Sequence, residues 1–190
     1  MMLIGIHGKS HSGKTSLSRW LGSSQGFKER SFSNPIRQLC QMHFDGEGRG
    51  RSRIERFLER PQFFARPTRE WERNVLRIIG SAYRAVDEDY WLRQCHEPSG
   101  NTVYDDVRYP NEARWVRDRG GILIRLTEIP IGYTWDEHES ETALDEWTDW
   151  DAVYERIPDS TVEDMYAWAE KQLQGVAISA GVHDSQTPTG

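Results

Sequence analysis

The stretch MLIGIHGKSHSGKT, residues 2–15, decides the fold of this chain. Residues 2–6 form a short apolar run, which predicts a buried strand of a parallel sheet. Gly8 to Thr15 follow with the spacing GxxxxGK[ST], and residues 15–21 have the composition of a helix. A glycine-rich turn between a buried strand and a helix directs backbone N–H groups and the helix N-terminus toward phosphate oxygens. The sequence therefore predicts a nucleotide-binding phosphate loop.

The loop contains a cationic side chain and a hydroxyl, which binding of ATP and Mg²⁺ requires. Lys14 is predicted to reach the β- and γ-phosphates, and the Thr15 hydroxyl is predicted to bind Mg²⁺. His11 occupies a variable position and is interpreted as a loop residue rather than a catalytic base. The alternative to nucleotide binding is a glycine-rich turn without a ligand. The residues predicted to bind ATP are Gly8, His11, Ser12, Gly13, Lys14, Thr15 and Ser16.

The rest of the chain alternates strand patterns with helix patterns. Strands are predicted at 27–32, 102–104, 122–126 and 151–156. Helices are predicted at 34–44, 53–60, 68–79, 86–95, 111–119 and 161–173, the last with Ser160 and Glu163 as a capping box. Residues 45–52 are predicted to form a loop, and residues 127–150 carry no pattern that assigns them. This alternation predicts a three-layer α/β domain with a parallel sheet flanked by helices.

A second group of polar residues, DDVRYPNE at 105–112, directly follows the predicted strand at 102–104. Open α/β sheets place their ligands at the carboxyl ends of strands. Asp106 at that place suits the binding of Mg²⁺ through water, and Arg108 suits the bracing of a phosphate during its transfer. The alternative is that Asp106 or Asn111 only caps the next helix, and spacing alone does not separate the two interpretations.

Length and composition indicate one domain with a core and exclude several classes of protein. The chain has 190 residues, of which 36% are hydrophobic and 28% charged, and it contains eight Trp. No apolar run is long enough for a membrane helix, and the start of the chain lacks the pattern of a secretory signal. Cys40 and Cys95 lie far apart without a CxxC motif, which predicts the reduced thiols of a cytoplasmic protein.

The net charge of −6 conceals two halves of opposite sign. Residues 1–100 contain 17 basic and 11 acidic side chains, whereas residues 101–190 contain 7 basic and 19 acidic ones. The basic excess lies in 49–84, with ten Arg and four Glu, and the acidic excess lies in 136–164. A basic segment indicates either an anionic partner, such as nucleic acid or a phosphorylated small molecule, or a solvated helix face.

Several blocks of the sequence, in the same order, resemble the bacteriophage deoxynucleoside monophosphate kinases, a branch of the P-loop nucleoside monophosphate kinases. The blocks are GKSHSGKT at 8–15, FSNPIRQLC at 32–40, RNVLRIIGSAYR at 73–84 with DYW at 89–91, DVRYPNEA at 106–113 with GGILIRL at 120–126, and HESE at 138–141. The resemblance spans roughly residues 2–173, and the block at 106–113 is its most distinctive part.

The sequence departs from the family pattern in places. Arg77 stands where the family usually has Gln, and the stretch between Gly80 and Arg84 lacks the usual Thr-Glu. On the last strand, the family's Asn has no clean counterpart, and Arg156 is nearest to it. The first two departures fall in the predicted acceptor site, so they leave the identity of the acceptor nucleotide open.

The resemblance implies transfer of the γ-phosphate of ATP, with Mg²⁺, to the 5′-phosphate of a deoxynucleoside monophosphate, a reaction that would serve phage dNTP supply. The implied catalytic residues are Lys14, Asp106 and Arg108, and the implied metal site is Thr15 with Asp106. A single P-loop kinase domain would span 1–174, and a flexible tail would follow at 175–190.

Two further parts of that domain follow from the resemblance. A helical insertion at about 37–97 would bind the acceptor, with arginines that neutralise its phosphate: Arg37, Arg73, Arg77 and Arg84. A short lid at about 108–119 would close over the phosphates through Arg108, Arg114 or Arg117. For Arg114 and Arg117, a solvated helix face is an equally good interpretation.

Two other functions stay open on the sequence alone. One is a P-loop kinase that phosphorylates a hydroxymethylated base within DNA, although the acidic segment 136–164 disfavours a nucleic-acid partner. The other is a non-catalytic ATP-binding module. The predicted location is the cytoplasm, or the host cytoplasm for a phage protein, without membrane association. A monomer and a homodimer both fit, and the sequence assigns no role to His138 and Glu141.

Overall fold

The computed structural model describes residues 1–45, 70–127, 138–157 and 159–183, and the side chains within 1–40, 73–127, 138–157 and 159–175. Two compact units make up the chain. One consists of Met1–Glu29 together with Gly100–Gly190, and the other is Arg30–Ser99. The predicted insertion at 37–97 lies within the second unit.

Five strands form one sheet in the order β2-β3-β1-β4-β5. The strands are β1 (Leu3–His7), β2 (Lys28–Arg30), β3 (Thr102–Tyr104), β4 (Ile122–Thr127) and β5 (Ala152–Glu155). Strand β1 pairs in parallel with β3, where Ile4 lies opposite Val103, and with β4, where Ile6 lies opposite Ile124. Strand β5 extends the sheet in parallel beyond β4. The parallel sheet predicted from the alternating pattern is confirmed.

Helices cover both faces of this sheet. They are α1 (Lys14–Gln25), α5 (Pro110–Asp118), the short α6 (Glu139–Thr142) and α7 (Val162–His183). On one face, Ile4 and Ile6 are fully buried with Leu17 and Leu21 of α1 and with Met165 of α7. Helix α5 packs against β1 and β4 on the other face. The three-layer α/β class follows, because residues of a strand alternate between the two faces.

The described part of the second unit consists mainly of helices. It contains α2 (Asn34–Asp45), α3 (Glu70–Val86) and α4 (Tyr90–Arg93). Ile36, Cys40 and Trp91 are buried together, and the Trp91 indole donates a hydrogen bond to the Gly80 carbonyl oxygen at 3.1 Å. The helix predicted at 86–95 is shorter than expected, because a turn at 87–89 separates α3 from α4. The predicted helix at 53–60 and the predicted loop at 46–52 lie outside the described residues.

Helix α7 differs from its prediction at both ends. Thr161 and Asp164 form its capping box: the Asp164 carboxylate accepts from the Thr161 N–H at 2.8 Å, and the Thr161 hydroxyl accepts from the Asp164 N–H at 3.2 Å. The predicted cap, Ser160, instead bonds with Ile157. The helix continues to His183, past the end predicted at residue 173, and the flexibility of the tail stays a prediction.

None of the described helices combines the length and the apolar character that crossing a bilayer requires.

Candidate functional site

The loop from Gly8 to Gly13 connects the end of β1 to the start of α1. Gly13 has a φ of 97°, in the left-handed region that favours glycine. A Cβ at Gly8 would lie 2.4 Å from the Ser12 hydroxyl oxygen and 2.8 Å from the Leu126 carbonyl oxygen. Both glycines of the motif are therefore required by the local backbone. This geometry places a tight loop before a helix N-terminus, as the sequence predicts.

The Lys14 side chain folds back over this loop and is buried. Its ammonium donates to the carbonyl oxygens of Gly8 at 2.5 Å and Lys9 at 2.6 Å, and to the Ser12 hydroxyl at 3.4 Å. Burial, together with the charge of Arg108, lowers the pKa of Lys14 to about 8. All three acceptors of the ammonium are uncharged oxygens. Phosphate oxygens, which are charged, can replace them as stronger acceptors.

The other residues predicted to bind ATP lie around this loop. Ser12 is buried, whereas Thr15 and His11 are exposed and Ser16 is half-buried. His11 has a φ of 66°, a conformation that non-glycine residues adopt rarely. The roles of these residues toward a nucleotide stay predictions.

The segment after β3 lies against the end of β1. The Val107 N–H donates to the Ile6 carbonyl oxygen at 3.2 Å, which continues the pairing of the two strands. The His7 imidazole donates from Nδ1 to the Val107 carbonyl oxygen at 2.9 Å and stacks on Trp150 with ring centroids 5.2 Å apart. Burial lowers the pKa of His7 to about 4. His7 is therefore neutral, and its hydrogen bond links the end of β1, where the phosphate loop begins, to the residues that follow β3.

Glu112 caps helix α5 from within its first turn. Its buried carboxylate accepts hydrogen bonds from the backbone N–H groups of Arg108 at 2.7 Å and Tyr109 at 3.1 Å. The Asn111 side chain accepts from the Glu112 N–H at 3.0 Å. The N-cap residue is Tyr109, and Asn111 lies within the first turn of the helix. Asp106 lies before this cap and is half-buried.

Arg108 and Glu141 form an ion pair next to the phosphate loop. The Glu141 carboxylate accepts from Nη1 of Arg108 through one oxygen and from the Ser10 N–H at 3.2 Å through the other. Burial opposes the charged form of Arg108, but the Glu141 carboxylate outweighs it, so the pKa of Arg108 lies above its ordinary value. Sequence reasoning assigned no role to Glu141. The signal present in the sequence was the HESE block, whose contact partners lie far away along the chain.

The oxygen atoms near Lys14 fit Mg²⁺. The charges of the Asp105 and Asp106 carboxylates each raise the pKa of Lys14 against the effect of burial. Among the described residues there is no group of three acidic, His or Cys side chains that could hold a metal alone. Mg²⁺ usually takes one or two carboxylates, substrate phosphates and waters, so a carboxylate with the Thr15 hydroxyl is a suitable donor set.

The four arginines predicted to bind the acceptor lie in the helical unit. Arg37 is on α2, and Arg73, Arg77 and Arg84 are on α3. The spacing of the last three brings them to one face of their helix, because residues four and seven apart overlie one another. Arg73 is exposed, and the other three are half-buried. Their role in binding a phosphate stays a prediction.

The segment 108–119, predicted as a lid, contains helix α5, which packs on the sheet through Ala113, Trp115 and Val116. Arg117 is paired with Asp149 at 3.0 Å and with Asp151 at 2.5 Å. These contacts favour the structural interpretation of Arg117. Closure of this segment over a nucleotide stays a prediction.

Comparisons with known proteins agree with the sequence motifs. The chain is 27% identical over 186 residues to a protein of Acanthamoeba polyphaga mimivirus named "Putative deoxynucleotide monophosphate kinase", covering 88% of this chain and 93% of that protein. It is 32% identical over 123 residues to "Uncharacterized protein ORF77" of Ictalurid herpesvirus 1 (strain Auburn), covering 60% of this chain and 50% of that protein. No protein-family model matches the chain. The resemblance to deoxynucleotide monophosphate kinases is confirmed by the similarity to the mimivirus protein over most of the chain.

Two solved structures that match this chain in a structural comparison are named as kinases. Shikimate kinase from Aquifex aeolicus has a TM-score of 0.47 and 13% identity, and the match covers 93% of this chain and 98% of that one. The APS kinase of Mycobacterium tuberculosis has a TM-score of 0.40 and 11% identity, with coverage of 91% and 96%. The fold class of the present chain rests on its own parallel sheet and on the loop between β1 and α1.

Proposed function

We propose that this protein transfers the γ-phosphate of ATP to the 5′-phosphate of a deoxynucleoside monophosphate. The observation that carries the proposal is the grouping at one loop of a buried lysine, an arginine and two carboxylates. The charges of Arg108, Asp105 and Asp106 all act on the pKa of Lys14, and the Glu141 carboxylate joins Arg108 to the Ser10 N–H of the loop. The similarity to the mimivirus protein over most of the chain supports a nucleotide monophosphate as the acceptor.

Phosphoryl transfer needs positioning and charge neutralisation more than covalent chemistry. The backbone N–H groups of the loop and the Lys14 ammonium would hold the β- and γ-phosphates. Arg108 would neutralise the charge on the transferred group through its fork of N–H donors. Thr15 and Asp106 would hold Mg²⁺, which would offset the negative charge of the phosphates when bound. The acceptor phosphate is itself a nucleophile, so the reaction needs no general base.

The helical unit Arg30–Ser99 would bind the acceptor. Its arginines on α2 and α3 supply the positive charge that a dianionic 5′-phosphate requires. The departure from the family pattern at Arg77 falls on the same helix face as Arg73 and Arg84. This departure leaves the base of the acceptor open, so modified pyrimidine monophosphates belong in any panel of acceptors.

A panel of acceptors tests this function. The protein is incubated with ATP, Mg²⁺ and each standard or modified deoxynucleoside monophosphate, and formation of ADP is followed. We expect ADP formation that depends on one or a few of these acceptors. No turnover with any of them would contradict the proposal, and phosphorylation of hydroxymethylated DNA would replace it with the other kinase function.

Two lysines of the loop give a matched pair of variants for that assay. Lys14→Ala should lower kcat by at least about a thousandfold, because phosphate charge then loses its buried counter-ion. Lys9→Ala removes a lysine whose ammonium pairs with Asp145 at 3.3 Å, and its activity should stay within about threefold of wild type. Equal losses in the two variants would contradict the role given to Lys14. A homodimer and a cytoplasmic location stay predictions.

A further inference from the structure

Glu141 is a buried anion placed beside the phosphate loop. Its side chain is only 7% exposed. One carboxylate oxygen accepts from the Ser10 N–H of the loop, and the other accepts from Nη1 of Arg108. A buried carboxylate is costly unless its oxygens have donors, and here each oxygen has one. The carboxylate therefore joins the loop to the arginine that follows β3.

The short helix α6 fixes the position of this carboxylate. The His138 imidazole caps the helix by accepting from the Ser140 N–H at 3.1 Å, and the Glu141 N–H donates to the His138 carbonyl oxygen at 2.8 Å. Leu144 directly after the helix is fully buried and anchors the segment. The Ser140 carbonyl oxygen accepts from Nη1 of Arg108 at 3.2 Å. Backbone and side chain of α6 thus hold the same guanidinium nitrogen.

Within the described part of the chain, the guanidinium of Arg108 is bonded through one nitrogen, Nη1. Among the described residues, its hydrogen bonds and its ion pair all involve Nη1, and Nη2 and Nε bond to none of them. The side chain is 30% exposed. Arg108 also lies close enough to Lys14 to act on its charge. A planar fork fixed at one nitrogen presents its other donors in a defined direction.

We propose that Glu141 is a positioning residue that aims the open arm of Arg108 at the γ-phosphate of a nucleoside triphosphate bound at the loop. The inference rests on the nucleotide site of the proposed function and does not depend on the acceptor. Without Glu141, the long arginine side chain regains its rotamer freedom and must lose it again on binding. The effect falls on the triphosphate because a diphosphate has no γ-phosphate for Arg108 to contact.

The opposite role for Glu141 predicts the opposite result. A carboxylate that only competes with phosphate for Arg108 and for the Ser10 N–H would weaken triphosphate binding, and its removal would strengthen it. Positioning is favoured because the carboxylate is already neutralised by Arg108, so the pair adds little net repulsion. The sign of the change in affinity therefore separates the two roles.

The test compares binding of two nucleotides to four proteins. The dissociation constants of Mg²⁺·ADP and of Mg²⁺·β,γ-imido ATP are measured by calorimetry for wild type, Glu141→Gln, Arg108→Ala and the double variant. In Glu141→Gln, the amide has one oxygen, so its NH₂ group must face either the Ser10 N–H or Nη1 of Arg108, and the ion pair is lost. We expect the preference for triphosphate over diphosphate to fall about tenfold in each single variant. The double variant should fall no further than either single one.

Glu139→Gln is the matched control, because it makes the same chemical change on an exposed side chain of the same helix. Its nucleotide preference and its melting temperature should equal those of wild type. An unchanged or increased triphosphate preference in Glu141→Gln would overturn the inference. So would additive losses in the double variant, equal losses for both nucleotides, or a wild type that binds neither. A protein that passes this test but phosphorylates no acceptor would contradict the proposed function alone.

Discussion

At the scale of single residues, the site contains ionisable side chains whose pKa values are shifted by burial. The pKa of Lys14 is lowered to about 8 and that of His7 to about 4, in both cases mainly by burial. The two residues serve different purposes. Lys14 stays largely protonated at pH 7 and holds a positive charge in a dry loop, whereas His7 is neutral and donates one hydrogen bond to Val107.

His7 makes stability depend on acid in a way that can be measured. An unfolded histidine titrates near pH 6.5 and the folded one near 4, so on acidification the unfolded chain takes up a proton first. The contribution of His7 to the free energy of unfolding is therefore fully present above pH 6.5 and is lost as the pH falls toward 4. His7→Asn keeps an N–H donor near the position of Nδ1 and does not titrate.

We expect wild type to lose about 2 kcal/mol more than His7→Asn between pH 7 and pH 5. Urea unfolding of both proteins at the two pH values measures the difference. Carboxylates titrate in both proteins and cancel in the comparison. Parallel losses would show that the imidazole is not held neutral by burial.

At the scale of elements, the sequence predicted the strands and helices whose patterns are local. Strands β1, β3 and β4 are apolar runs that precede polar strand ends, and the loop after β1 carries a motif with a specific spacing. Helix α6 could not be predicted in the same way. It has four residues, and its position depends on the contacts of Glu141 with residues far away along the chain.

The end of α7 shows a second limit of sequence reasoning. The sequence predicted that the helix ends at residue 173, yet it passes Gly175 and continues to His183. Once a helix is nucleated and capped, as Thr161 and Asp164 do here, each added residue costs little. A single glycine raises that cost by only about 1 kcal/mol, which does not end an established helix.

The cap of α5 gives a prediction at this scale. Glu112→Ala would leave the N–H groups of Arg108 and Tyr109 without their buried acceptor, so the free energy of unfolding should fall by about 2–3 kcal/mol. Asp118→Ala, at an exposed position of the same helix, should change it by less than about 0.5 kcal/mol. Thermal and urea unfolding of both variants provide the measurement. Similar values would contradict the capping role of Glu112.

At the scale of the whole molecule, the acidic segment 136–164 supplies counter-ions to basic side chains, which its composition did not reveal. In its described part, four acidic residues are counter-ions of basic residues within the same unit: Glu141 pairs with Arg108, Asp145 with Lys9, and both Asp149 and Asp151 with Arg117. The sequence showed an acidic half and a basic half but not which charges meet. Only the fold brings these partners together, across separations of more than thirty residues in the pairs involving Arg108 and Arg117.

The central claim is that the phosphate leaving ATP arrives on a deoxynucleoside monophosphate. The most direct measurement follows the label from ATP carrying ³²P at the γ-position, in the presence of Mg²⁺ and the acceptor identified by the panel. The account predicts that the label appears in a deoxynucleoside diphosphate, in an amount equal to the ADP formed, and that Lys14→Ala abolishes the transfer. Label found only in inorganic phosphate, or retained in ATP with every acceptor, would contradict the claim.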